Sequence, residues 1–166
     1  MSNDDPVPFA TTSGVRETCL CLHLQRAARA VGRRFDAALR PLGLTSGQFS
    51  LMMSLNRPEP PSMGAVSALL AMDRTTLTAN LKPLERRGLV DVRVDAADKR
   101  SRQLRLTPAG GALLAAAVPV WLQAHAAIER GLAPSDPDEL RRDLRLLSVP
   151  EMTENDRSAL RRVEGR

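Results

Sequence analysis

Two short stretches of alternating residues interrupt a sequence whose apolar spacing is otherwise helical. In residues 90–94 valines alternate with charged residues, and in residues 103–106 leucines alternate with polar ones. Alternation with a period of two is typical of a strand with one buried face, and the polar loop between the stretches, residues 95–101, suits a hairpin. A hairpin among helices limits the chain to folds that are mainly α with one small β element.

A long helix is predicted well before the hairpin. From Leu20 to Leu42, apolar residues recur every three or four positions, which predicts an amphipathic helix lasting to about Arg40. Pro41 and Gly43 then end it. The other face of this helix carries four arginines: Arg26, Arg29, Arg33 and Arg34.

Capping residues mark the next two helices. Thr45 and Gln48 have the spacing of a capping box, which predicts a second helix through about Leu55. Ser62 is placed to cap a short third helix over residues 63–72.

The fourth helix has two different faces. Asp73 is placed to cap its start and Gly88 to end it, although Pro83 removes one backbone hydrogen bond from its interior. Leu77, Leu81 and Leu84 share one stripe by the 3.6-residue period. The opposite side and its flank carry small polar or basic residues: Thr75, Thr78, Ala79, Lys82 and Arg86.

Two further helices follow the hairpin. Thr107 and Pro108 form a helix start, and the Ala- and Leu-rich stretch beyond them predicts a long helix to about Arg130. Asp136 is placed to start a last helix that runs through Leu147.

The order of these elements is the order that a winged helix-turn-helix requires. A helix that enters the major groove of duplex DNA needs small polar and basic side chains on its outward stripe, as the fourth helix has. The hairpin tip carries Lys99, Arg100 and Arg102, which are suited to contact phosphates or an adjacent minor groove. We therefore predict a winged helix-turn-helix.

The predicted organisation has a DNA-binding module at residues 44–107, flanked by dimerisation helices at residues 18–43 and 108–149. A flexible N-terminal segment, 1–17, precedes them and a charged tail, 150–166, follows. The flanking helices carry apolar stripes from both ends of the chain, but within one copy these stripes form only a thin core. We therefore expect them to be buried against a second copy of the chain. The fold class is thus mainly α with a small β-hairpin wing and with N- and C-terminal dimerisation helices.

Charge and aromatic content point to duplex DNA as the partner. The 24 Lys and Arg exceed the 19 Asp and Glu, for a net charge of +5, which favours an acidic partner. With three Phe, one Trp and no Tyr, the chain lacks the stacking surfaces of proteins that bind single strands or RNA.

Several other functions are disfavoured. The sequence contains no nucleophile with a base, paired carboxylates, phosphate-binding glycine loop or metal-ligand spacing, so we expect no enzyme, no cofactor and no metal. We find no apolar run near the roughly 20 residues that cross a bilayer and no signal-peptide pattern, so we expect a cytoplasmic protein with no membrane partner.

Several segments together resemble the MarR family of bacterial and archaeal regulators. They are Leu44-Thr-Ser-Gly-Gln-Phe49, Asp73-Arg-Thr-Thr-Leu-Thr78, Leu84-Glu-Arg-Arg-Gly-Leu-Val90, and Asp98-Lys-Arg100 followed by Leu106-Thr-Pro-Ala-Gly110. The resemblance implies a homodimer that binds a pseudo-palindromic site, usually as a repressor, and releases DNA when a small ligand or an oxidant acts. It places Thr75, Thr76, Thr78 and Lys82 on the recognition helix, and Asp98 and Arg100 in the wing.

Two kinds of switch are open. One is a small-molecule effector in a cleft between the dimerisation helices and the DNA-binding module. The candidate lining residues for that cleft are Arg16, Arg26, Met52, Met53, Trp121 and His125.

The other switch is a thiol. The resemblance places Cys21 at the position of the reactive cysteine in the organic-peroxide-sensing branch of the family. That branch activates its thiol with tyrosine hydroxyls, whereas in this chain Phe35 occupies a position where such a tyrosine is expected. Cys19 and Cys21 are too close in a predicted helix to pair with each other. A buried helical cysteine is also commonly an inert small hydrophobic residue.

A third interpretation belongs to a different class. A helical interaction module could keep the winged fold without binding DNA. The basic hairpin argues against it, because protein-binding faces more often carry aromatic anchors.

Overall fold

The computed structural model describes residues 6–95 and 98–148, which form seven α-helices and one β-hairpin. The elements in chain order are α1 (Phe9–Thr18), α2 (Leu20–Leu39), a 3₁₀ turn (Arg40–Leu42), α3 (Ser46–Leu55), α4 (Met63–Leu70), α5 (Arg74–Arg86), β1 (Val90–Val94), β2 (Arg102–Leu106), α6 (Pro108–Arg130) and α7 (Pro137–Ser148). The predicted fold class, mainly α with a small hairpin, is confirmed.

Local capping explains where the middle helices start. The Thr45 hydroxyl accepts from the Gln48 backbone N–H at 3.2 Å, and the Gln48 side chain accepts from the Thr45 N–H at 3.1 Å, which completes the predicted capping box. Ser62 caps α4 as predicted. α4 ends at Leu70, two residues before the predicted end, because Ala71 takes a left-handed conformation with φ 48°.

The hairpin is joined to the segment that precedes α4. Its antiparallel register pairs Val90 with Leu106 and Val94 with Arg102. The Leu104 N–H donates to the Pro61 carbonyl at 3.0 Å, and residues 62 and 103 form an isolated bridge. These bonds attach the hairpin to the start of α4.

The core is built around α3. Phe49, Leu51, Met52 and Leu55 of this helix are buried, although its apolar residues surround the helix instead of forming one stripe. The α5 leucines predicted as an inward stripe are buried against it, together with hairpin and α6 residues: Leu77, Leu81, Leu84, Val90, Leu104, Leu114 and Ala117. The inward stripe of α5 fixes which of its faces points outward.

α6 is long and apolar enough, by length and composition, to cross a membrane. Its mean hydropathy over 18 residues is 1.5, so the expectation that no apolar run reaches that length was wrong by this criterion. Much of the apolar character comes from alanine and valine. Only 11% of this window is buried, with Leu114 and Ala117 in the core, so α6 is not the mostly buried core helix that also meets this criterion.

The N-terminal segment predicted to be flexible contains α1. This helix has no buried residue and no clear apolar period, so the pattern that revealed the other helices was missing.

The chain divides into two compact units, residues 1–126 and 127–166. In the second unit, Arg141 pairs with Glu129 at 2.5 Å and with Asp138 at 2.6 Å. The hydrogen bond and positive charge of Arg141 lower the pKa of Asp138. The predicted boundary between residues 107 and 108 does not coincide with this division, and the predicted tail lies outside the described residues.

Candidate nucleic-acid interface

α5 begins with a charged cap. The Asp73 carboxylate accepts from the Thr76 N–H at 2.8 Å and from the Thr76 hydroxyl at 2.7 Å. These hydrogen bonds, the backbone one foremost, hold the pKa of Asp73 below its ordinary value. The Thr76 hydroxyl is therefore engaged by the cap, so Thr76 positions the helix and does not line its outward groove.

The outward face of α5 forms a shallow groove. Its lining residues are Arg74, Thr75, Thr78, Ala79 and Lys82. Four of these were predicted for the recognition helix, whereas Arg86 lies outside the groove. Arg74 was missed, although its position four residues before Thr78 places both on one face. The groove combines small side chains with two cations, which suits approach to base edges flanked by phosphates.

A cleft of about 390 Å³ lies between the starts of α4 and α5 and the hairpin. It is lined by Ser62, Met63, Gly64, Ser67, Arg74, Leu77, Asp98, Arg100, Ser101 and Arg102. Arg74 lines both this cleft and the α5 groove, so the two surfaces are adjacent. Among the lining residues, three arginines face one carboxylate, and the cleft is therefore electropositive.

Asp98 shapes the hairpin tip. Its carboxylate accepts from the Arg100 N–H at 2.9 Å, and its carbonyl accepts from the Ser101 N–H at 2.8 Å. Lys99 lies in the same turn, exposed and outside the cleft. The turn thus presents Arg100 beside Arg102 toward the start of α5.

The far end of α5 is tied to the turn after α2. Arg87 donates to the carbonyls of Gly43 at 2.5 Å and Leu42 at 3.3 Å. Pro83 does not interrupt α5, and Gly88 has the positive φ of 67° expected of a helix C-cap. Sequence reasoning missed Arg87, because its partners lie 44 and 45 residues away along the chain.

The six effector candidates do not form one cluster. Arg16 pairs with Glu17 on α1, and Arg26 is exposed on α2. Met52 is completely buried in the core, because it occupies the inward side of α3.

Two of the remaining candidates, Met53 and Trp121, line an apolar pocket of about 480 Å³. The other lining residues are Phe49, Ser50, Ser54, Leu69, Leu70, Val118 and Leu122. His125 is not among the lining residues, but its ring stacks on Trp121 at a centroid distance of 4.6 Å.

The cysteines lie at the start of α2. Cys19 is the cap residue, with extended backbone, and so precedes the helix, contrary to the expectation that both cysteines are helical. Cys21 is exposed, and its sulfur accepts from the Gln25 side chain at 3.3 Å. Within residues 6–95 and 98–148, no group of three or more His, Cys, Asp or Glu side chains could hold a metal.

The fold and these surfaces define a winged helix-turn-helix. A sequence model described as the MarR family matches residues 42–101. The transcriptional regulator MosR of M. tuberculosis, solved in complex with DNA, is 39% identical, with a TM-score of 0.70 over 78% of this chain and 92% of that one. The chain belongs to the MarR family.

Curated relatives agree over shorter segments. HosA of Escherichia coli O157:H7 is 37% identical over 78 residues, which are 46% of this chain and 57% of HosA. The organic hydroperoxide resistance regulator of Bacillus subtilis is 29% identical over 104 residues, 63% of this chain and 71% of that protein. The chain spans about three fifths of the length of the first relatives it matches, 62% and 57%.

Proposed function

We propose that the chain is a sequence-specific, duplex-DNA-binding transcriptional regulator that represses its target genes. The observation that carries this proposal is Arg74, which lines both the α5 groove and the cleft beside the wing. One duplex can therefore contact both surfaces, with α5 in the major groove and Arg100 at the backbone or the adjacent minor groove. The relative MosR, which was solved in complex with DNA, supports the proposal that this chain binds DNA.

The proposed DNA-binding form is a homodimer. Many of the exposed large apolar side chains lie on helices near the ends of the chain: Phe9, Val15, Leu20, Leu24, Leu122, Leu140, Leu144 and Leu147. Exposed apolar surface of this kind commonly marks an interface. A twofold dimer would bind two half-sites about one helical turn, roughly 34 Å, apart.

Fluorescence anisotropy tests the proposal. DNA from the region upstream of the gene and a scrambled duplex are titrated with the full chain at two salt concentrations. We expect a preference for the native fragment and an affinity that falls steeply with salt, because binding to phosphates releases counterions. Equal, weak binding to both duplexes would favour the interaction module that does not bind DNA.

Arg100→Ala tests the placement of the wing. We expect weaker operator binding and a salt slope that is smaller by about 0.9 for each phosphate that the variant no longer neutralises. Arg34→Ala removes the same charge from an exposed position on α2, outside the cleft, and should leave both unchanged. Equal effects of the two substitutions would mean that Arg100 contributes only net charge.

Repression is proposed to be relieved by a small ligand. The apolar pocket lined by Met53 and Trp121 is the candidate site, since all but two of its lining residues are large and apolar. We expect no catalytic activity and no cofactor, and a location in the cytoplasm, where the operator would be accessible.

Thiol oxidation is the second candidate for the switch. Cys21 is exposed at the start of α2, and the matched Bacillus subtilis relative is named for organic hydroperoxide resistance. A peroxide would oxidise the Cys21 thiolate to a sulfenic acid and would itself be reduced to an alcohol. Operator affinity is measured before and after peroxide; a loss that Cys21→Ser abolishes would support this switch over the ligand.

A further inference from the structure

The groove on the outward face of α5 has small side chains at its middle and a cation at each end. Thr78 and Ala79 line the middle, between Arg74 and Lys82, which lie eight residues apart along the helix. At 1.5 Å per residue this separation is about 12 Å. Since base pairs stack about 3.4 Å apart, a duplex in the groove would place the base edges of about three steps opposite the segment between the two cations.

A hydrogen bond within α5 uses the only proton that Thr78 could donate to a base. The Thr78 hydroxyl donates to the Arg74 carbonyl, four residues back along the helix, at 2.7 Å. It therefore has no proton for guanine N7, guanine O6 or thymine O4, which are all acceptors. Ala79 has no polar side-chain atom. What the middle of the groove presents to a base is methyl surface and one acceptor oxygen.

The nearest polar side chains of α5 make their hydrogen bonds elsewhere. The Thr76 hydroxyl donates to the Asp73 cap at 2.7 Å, and the Asn80 amide donates to the Thr76 carbonyl at 3.0 Å. Asn80 also packs against α3, because a Cβ atom at Gly47 would lie 2.8 Å from its Oδ1. Neither Thr76 nor Asn80 lines the groove, so they add no donor to the methyl surface at its middle.

We propose that the middle of the α5 groove recognises the methyl group of a thymine, through the methyl groups of Thr78 and Ala79. This inference rests on the DNA binding proposed above and specifies which base is recognised. Of the four bases, thymine alone carries a methyl group on its major-groove edge, and Thr and Ala methyl groups are suited to contact it. Arg74 and Lys82 contact phosphates or guanine on either side.

Replacing thymine by deoxyuridine tests the proposal, because it removes the methyl group and keeps every hydrogen-bonding atom of the base. The full chain selects its duplex from a randomised library, and each thymine of the enriched sequence is then replaced in turn. We expect at least one thymine in each half-site whose replacement weakens binding about fourfold, the effect of losing one buried methylene-sized group. A half-site without thymine, or no loss at any thymine, would overturn the proposal.

Three variants test whether Thr78 makes the contact. Thr78→Ser keeps the hydroxyl and removes the methyl group, so we expect the preference for thymine over deoxyuridine to fall to about twofold or less. Thr78→Val keeps a methyl group and removes the hydroxyl, so the preference should remain. Thr76→Ser is the matched control, because it makes the same change two residues away, outside the groove, and keeps the hydroxyl that binds Asp73.

A thymine preference that persists in Thr78→Ser, or that is lost equally in Thr76→Ser, would contradict the assignment to Thr78. If wild type binds the deoxyuridine duplexes as tightly as the thymine duplex and Thr78→Val binds both more weakly, the Thr78 oxygen accepts from adenine or cytosine instead. A library from which no sequence is enriched would refute the proposed function itself, whereas enrichment without sensitivity to deoxyuridine would refute only the thymine contact.

Discussion

At the residue scale, Gly110 shows how little space separates the start of α6 from the segment that joins α5 to β1. A Cβ atom at this position would lie 2.0 Å from the Leu89 carbonyl oxygen, whereas a Cβ at Gly111 would have no neighbour within 4 Å. The Leu89 carbonyl also accepts from the Thr107 N–H at 3.1 Å, so it is held in place. The start of α6 can therefore approach β1 only where a side chain is missing.

We predict that Gly110→Ala destabilises the chain by about 1–3 kcal/mol, because the backbone must shift to relieve the overlap. Gly111→Ala is the matched control: it should be neutral or stabilising by up to about 1 kcal/mol, since alanine favours a helix over glycine. The free energy of unfolding is measured by urea denaturation. Equal stability of the two variants would mean that α6 does not approach Leu89 this closely.

At the element scale, the cap of α5 should respond to pH. Since Thr76 lowers the folded-state pKa of Asp73, the cap contributes stability above the unfolded-state pKa and loses it as pH falls through the folded-state pKa. Asparagine accepts the same backbone hydrogen bond but does not titrate.

We therefore expect wild type to lose more stability than Asp73→Asn between neutral pH and about pH 3. Thermal unfolding of both proteins at the two pH values measures the difference. Other carboxylates with lowered pKa, such as Asp138, act alike in both proteins and cancel in this comparison. If the two proteins show the same pH dependence, the cap carboxylate does not contribute as proposed.

At the scale of the whole molecule, α7 offers a test of the dimer. Leu140, Leu144 and Leu147 recur at steps of four and three along one face of α7 and are 39%, 37% and 59% exposed. Leu146, which is 70% exposed, lies toward the opposite face by the helical period. An amphipathic helix with an uncovered apolar face is expected to bury it against another surface.

We predict that Leu144→Glu weakens dimerisation, because each leucine buried in the interface contributes about 1.5–3 kcal/mol and the substitution removes two from a twofold dimer. Leu146→Glu makes the same change on the other face and should leave the dimer intact. Sedimentation velocity across a range of concentrations distinguishes the two. A dimer that tolerates Leu144→Glu would place the interface elsewhere.

Much of the fold could be predicted because its signals are local. The caps at Thr45, Ser62 and Asp73 act on residues three positions away, and the strand alternation is a property of neighbouring residues. The positions along α5 followed from helical geometry once Leu77 was assigned to the core. The same approach missed α1, which has no apolar period, and the early end of α4, which depends on the left-handed conformation of Ala71.

The residue pattern was therefore enough to predict the order of elements, the outward face of α5 and the charge of the hairpin tip. Which distant residues meet depends on how the elements pack together. Arg87 donates hydrogen bonds to carbonyls more than 40 residues away along the chain. Met52 and Met53 are adjacent in sequence, yet Met52 is buried in the core and Met53 lines a pocket. The reason is physical: helical spacing predicts which side chains share a face, whereas the surface that covers each face depends on how the helices pack.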